Sequence, residues 1–259
     1  KEQRNAFYAE ITSVKAQAIL ISGDIAEANS ISGYLVELER ALTCPIYFVL
    51  GNHDFYGSNV ASVTTNIHEI AKSYDNLVWL TETDYSVLTK DILLVGVDGW
   101  ADGRYGDYAH SHVVLNDSRM ITDLFQKKCL GKTALLKIMQ DLANKDASRL
   151  RAQLEFAIKK VPKKIIVVTH VPPFAESCAY KDQQTDNDFL PFFSSKATGD
   201  VLLEVLQENT KIDFLVLCSH THEAALHQPL NNLTVKVGGA RYGRPKIVEI
   251  IELNKHEHY

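Results

Sequence analysis

Cysteine is scarce and dispersed in this sequence. Cys44, Cys129, Cys178 and Cys218 are scattered over 259 residues and form no C-x-x-C pair, which argues against a zinc knuckle or a dithiol redox motif. Cys218 sits inside an apolar run and reads as a small core residue. No apolar stretch reaches the roughly 18 residues of a membrane-spanning helix. Excess positive charge is missing as well: the net charge is −5, so nucleic acid is not favoured as a partner, although a local basic groove stays open. Neither Gly-x-Ser-x-Gly nor His-Glu-x-x-His occurs, which sets aside the serine-hydrolase elbow and the zincin helix. Gly131-Lys132-Thr133 has the ending of a phosphate-binding loop, but Gln126 stands where its first glycine belongs and no strand precedes it. A reducing cytoplasm is the expected compartment. The first residue is Lys1 rather than Met, so an upstream signal peptide stays open.

What is present is the composition of a globular protein, 46% hydrophobic and 23% charged in 29.0 kDa. No repeat, linker or low-complexity segment divides it, and a single domain over residues 1–259 is expected. Helical spacing covers Arg4 to Lys15, Ser30 to Leu42, Ser58 to Tyr74, Thr133 to Lys160 and Thr198 to Glu208. In the fourth of these, Leu150, Leu154, Ala157 and Ile158 share a face. Apolar runs of strand length are Ala18–Ile21, Ile46–Leu50, Ile92–Val97, Ile165–Thr169 and Phe214–Cys218. Weaker strands are expected at Leu77–Leu80, Ser86–Thr89, Leu233–Val237 and Ile247–Ile251. Gly99 to Tyr108 reads as an irregular loop, and Glu176 to Asp188 as a mobile one.

Four of the strong runs end in metal-competent side chains: Asp24 after the first, Asn52 and His53 after the second, His170, and the pair His220 and His222. Ligands in open α/β sheets collect at the carboxyl ends of strands. A single histidine after a strand is ordinary turn or core chemistry, but four such coincidences are not. Oxygen and imidazole donors without thiolate suit Zn, Mn or Fe.

Gly23-Asp24-Ile25-Ala26-Glu27, Gly51-Asn52-His53-Asp54, Thr169-His170-Val171-Pro172-Pro173 and Ser219-His220-Thr221-His222 resemble, in order and spacing, the later four motifs of the calcineurin-like metallophosphoesterases. The resemblance implies an α/β fold, a four-layer sandwich of two mixed β-sheets flanked by helices. It implies a hydrolase with a binuclear metal centre, holding two divalent ions (Mn, Fe or Zn) and acting on a phosphomonoester or phosphodiester. Asp24 would bridge the ions, Asn52, His170 and His220 would complete one site, and His222 would serve the other. A metal-bridging hydroxide would attack phosphorus, His53 would donate a proton to the leaving group, and Glu27 would orient His53.

The family's first motif, Asp-x-His after an N-terminal strand, occurs nowhere in the 259 residues. We expect that the first strand is absent from this chain by truncation; the competing account is a degenerate site holding one metal. Asn116 and Arg119, in Leu115-Asn116-Asp117-Ser118-Arg119, resemble a substrate-side segment of some branches, against a plain loop cap. Arg241 could pair with phosphate, against a solvated turn. His110 and His112 receive no assignment. The alternative function is a non-catalytic scaffold that keeps the fold; an intact His53 and Glu27 weigh against it.

Overall fold

The computed structural model describes residues 2–180 and 183–253. In order, α1 (Glu2–Val14), β1 (Ile19–Ser22), α2 (Ile31–Ala41), β2 (Ile46–Val49), α3 (Val60–Ser73) and β3 (Leu77–Trp79) build a small sheet in the order β1-β2-β3. Then follow β4 (Ser86–Thr89), β5 (Ile92–Gly96), α4 (Asp117–Met120), α5 (Thr122–Cys129), α6 (Lys132–Ile158) and β6 (Lys164–Val168). The remainder is β7 (Ala179–Tyr180), β8 (Gln183–Gln184), α7 (Leu190–Phe193), α8 (Lys196–Gln207), β9 (Asp213–Cys218), β10 (Ala225–Leu230) and β11 (Leu233–Val237).

The large sheet runs β10-β11-β9-β6-β5-β4. Its four inner strands are parallel, while β4 and β10 pair antiparallel at the edges. The expectation of mixed sheets thus holds for the large one; in the small sheet both pairings are parallel.

Side-chain alternation along the strands sets the layers. In β2, Ile46 and Phe48 face α1–α3, whereas Tyr47 and Val49 face the other sheet. In β5 and β6, Leu93, Val95, Ile165 and Val167 pack under α6 and α8, while Ile92, Leu94, Ile166 and Val168 meet the small sheet. Strands that are apolar on every residue are buried on both faces, and the result is helix, sheet, sheet, helix. On α6, Leu150, Leu154 and Ala157 are buried as their spacing predicts.

One sequence expectation changes. Ile247–Ile251 lies outside any strand: its β-branched residues have strand propensity, but propensity without a partner strand leaves the chain unladdered. Within Glu176 to Asp188, Ala179–Tyr180 pairs antiparallel with Gln183–Gln184, and Lys181 and Asp182 lie outside the described residues. No helix among the described residues is long and apolar enough to cross a membrane.

Candidate metal centre

Each candidate ligand leaves the end of a parallel strand through a tight turn. Asp24, His220 and His222 have left-handed backbones with φ of 55°, 70° and 64°, a conformation that costs a non-glycine residue about 1–3 kcal/mol and that clusters at functional sites. Two glycines make the approach possible. A Cβ on Gly51 would stand 2.2 Å from Asp24 Oδ1 and 2.6 Å from His170 Cε1, and one on Gly23 would stand 2.5 Å from His170 Nδ1. The turns are tied together by Asp54, fully buried, which accepts hydrogen bonds from the backbone N–H of Gly51 and of Ala26, both at 2.8 Å. Burial first, then the neighbouring Asp24 carboxylate, pushes the Asp54 pKa well above the usual carboxylate range.

At the centre, Asn52 Oδ1 lies 2.9 Å from His170 Nε2 and 3.0 Å from His220 Nδ1, and those two nitrogens are 3.1 Å apart. Asp24 Oδ1 is 3.3 Å from His170 Nε2. The tautomers are settled by what the outer ring nitrogens touch. His170 Nδ1 donates to the Ser22 carbonyl at 2.7 Å, and His220 Nε2 donates to the Phe192 carbonyl at 2.9 Å. A carbonyl can only accept, so each ring spends a proton outward and a neutral ring turns a lone pair inward. Burial first, then His170, lowers the His220 pKa to about 4, which keeps that ring neutral.

The amide of Asn52 is oriented in the same sense. Its Nδ2 donates to Asp117 Oδ1 at 2.7 Å and to the Tyr56 hydroxyl at 3.2 Å, so its oxygen points inward. Three lone-pair atoms therefore share one small volume, and only positive charge there satisfies them. Ligands that would share one ion at about 2.1 Å stand about 3–3.4 Å from each other, and the spacing found lies at the near end of that range. No group of three or more His, Cys, Asp and Glu side chains among the described residues is arranged to hold an ion without another residue type; here the shared centre is an amide oxygen. The donor set fits a divalent cation.

His53 stands apart from this cluster. Its backbone N–H donates to Asp24 Oδ1 at 3.1 Å, and its Nε2 is 4.0 Å from Asp24 Oδ2. Tyr56 stacks on its ring at 4.3 Å, and the Tyr242 hydroxyl sits 3.2 Å from Nε2. The His222 ring packs edge-on against Tyr242, with centroids 4.6 Å apart. Burial lowers the His222 pKa and the nearby Asp24 carboxylate counters it. At Asp24, burial raises the pKa, but His170, His53 and His220 outweigh it and hold the carboxyl below its ordinary value.

The other candidates are exposed. Glu27 is exposed and begins the turn into α2 through its backbone carbonyl; no side-chain hydrogen bond joins it to His53 among the described residues, so the expected orienting contact is not made. Asn116 and Arg119 are exposed, and the Asn116 carbonyl accepts from the Arg119 and Met120 amides. It is Asp117, between them, that reaches the site. Arg241 lies on an exposed turn, and the adjacent Tyr242 makes the contact instead. Tyr56 was legible only as the fourth residue beyond Asn52, and Tyr242 only as the neighbour of Arg241 in the segment Arg241-Tyr242-Gly243.

The sequence profile of the calcineurin-like phosphoesterases matches residues 2–224. Among solved structures, a dimetal phosphatase from Danio rerio superposes with a TM-score of 0.55 at 14% identity, covering 92% of this chain and 76% of that one. A sulfate thiohydrolase, SoxB, from Thermus thermophilus aligns with a TM-score of 0.42 at 11% identity, covering 92% of this chain and 36% of that one. Only the former bears on the fold. No curated protein sequence matches the chain.

Proposed function

The chain belongs to the calcineurin-like phosphoesterase family, and we propose that it is a metal-dependent hydrolase of phosphate esters, built as a single domain. The observation that carries this reading is the convergence of Asn52 Oδ1, His170 Nε2 and His220 Nδ1, lone pair toward lone pair, within 2.9–3.1 Å. Asp24 would complete that ligand set, and Asp24 with His222 would hold a further ion. Bound divalent ions, Mn, Fe or Zn by donor type, supply Lewis acidity, acidifying water and drawing charge from the phosphoryl oxygens.

The chain's own residues do the remainder. The carbonyls of Ser22 and Phe192 hold the two imidazoles in the ligating tautomer, and outer partners of this kind raise ligand basicity. His53 is left free of the cluster. Its Nε2, 3.2 Å from the Tyr242 hydroxyl and 4.0 Å from Asp24 Oδ2, would give a proton to the leaving-group oxygen. Tyr56 fixes the plane of that ring by stacking.

The test is hydrolysis of an aryl phosphate monoester and the matching diester with added Mn²⁺. Turnover that is abolished by a chelator and restored by metal supports the reading; its ratio between the two esters separates monoesterase from diesterase. Mn²⁺ binding without hydrolysis of either ester overturns it in favour of a scaffold.

A further inference from the structure

Resting on that metal-site reading, we propose that Asp117 is a positioning residue of the metal centre: with Tyr56 it holds the Asn52 amide oxygen-inward, and so keeps the site able to accept a cation. The two ends of a side-chain amide have nearly the same shape, so turning one over exchanges an acceptor for donors at little steric cost. At Asn52 that exchange would be decisive. A reversed amide would aim N–H groups at His170 Nε2 and His220 Nδ1, now 2.9 and 3.0 Å from the oxygen. Both lone pairs would then be satisfied internally, and no ion would be needed or admitted.

What opposes reversal lies on the other side of the amide. Asp117 Oδ1 is 2.7 Å from Asn52 Nδ2, and an ionised carboxylate is acceptor-only. A reversed amide would set oxygen against oxygen at that distance. The Tyr56 hydroxyl cannot discriminate alone, since it can donate or accept. It is 2.6 Å from the same Asp117 oxygen and 3.2 Å from Asn52 Nδ2, so its proton goes to the carboxylate and its lone pair faces the amide N–H. Asp117 therefore polarises both contacts. Tyr56 also stacks on His53 at 4.3 Å, which ties the same hydrogen-bonded pair to the proton donor.

The test measures Mn²⁺ affinity by calorimetry or competition with a chromophoric chelator, alongside thermal unfolding in the presence of a chelator. Asp117→Ala is expected to weaken Mn²⁺ binding by about 10- to 100-fold. In an Asn52→Ala background the same substitution should change affinity no further, because the amide it orients is gone. A purely structural role would lower the unfolding temperature, leave the affinity of the folded protein unchanged, and act alike in both backgrounds. Asp117→Asn can pair with either face of the amide, so it carries the same comparison with a smaller loss if the alanine variant does not fold. Equal Mn²⁺ affinity in wild type and both Asp117 variants overturns the role of Asp117 alone. A wild-type chain that binds no Mn²⁺ overturns the metal-site reading, and this inference with it.

Discussion

His170 Nε2 and His220 Nδ1 stand 3.1 Å apart, and each ring has turned a proton outward to a backbone carbonyl. Two inward lone pairs at that distance repel, so a cation between them should stabilise the folded chain. Ligand present at 100 times its Kd adds about 2.7 kcal/mol, which for a chain of this size is roughly 5–10 °C in Tm. Differential scanning fluorimetry with Mn²⁺ and with a chelator measures the shift. No shift at saturating metal would count against the site.

His53 contributes no atom to the cluster around Asn52 Oδ1. His53→Ala is expected to leave Mn²⁺ affinity within about twofold of wild type while lowering kcat by roughly 10²-fold or more. Steady-state kinetics beside a metal titration separates the two effects.

A Cβ at Gly51 would stand 2.2 Å from Asp24 Oδ1 and 2.5 Å from Asp24 N. Since the second neighbour is backbone, Gly51→Ala should both destabilise the chain by about 1–3 kcal/mol and abolish Mn²⁺ binding. Gly33→Ala is the control: nothing lies within 4 Å of its added Cβ, and in the first turn of α2 the change should stabilise by at most about 0.5–1 kcal/mol. Denaturant unfolding reads both.

Tyr242, although 70% exposed, meets His53 Nε2 at 3.2 Å, whereas Arg241 lies on the exposed turn beside it. Losing one hydrogen bond of about 1 kcal/mol, Tyr242→Phe should lower kcat by about fivefold. Arg241→Ala should change it less than twofold. The opposite ranking would restore Arg241 as the substrate-facing residue.

Asp98 joins the two sheets, accepting from Leu50 N at 2.7 Å, Trp79 Nε1 at 2.8 Å and Thr81 Oγ1 at 2.7 Å through one oxygen. Burial first, then the Asp146 carboxylate, pushes its pKa from 3.8 up to about 7. The folded chain therefore holds that proton more tightly than the unfolded one. The resulting stability is fully present below 3.8 and is lost as pH rises through about 7. Asn at this position keeps an oxygen acceptor for the three donors, so Asp98→Asn should lose less stability than wild type between pH 5 and pH 8, as read from urea midpoints.

Much of this arrangement was legible in the linear chain, because strand burial and strand-end placement are local properties. Residues of one strand alternate faces whatever lies across from them, so Ile46–Leu50 and Ile165–Thr169 announced strands buried on both sides. The turns that follow carried Asp24, Asn52, His170 and His220 as donors of one chemical kind. Tertiary structure decided which donors meet and how their lone pairs point. The proton positions on His170 and His220 depend on the carbonyls of Ser22 and Phe192, and carbonyls look alike in every residue. Asp117 faces the Asn52 amide across 65 positions, and Tyr242 faces His53 across 189, separations at which no periodicity survives. For the same reason Glu27, Asn116 and Arg241 looked suitable as residue types but are exposed: spacing along the chain determines which face a side chain takes, and only packing between layers determines what that face meets.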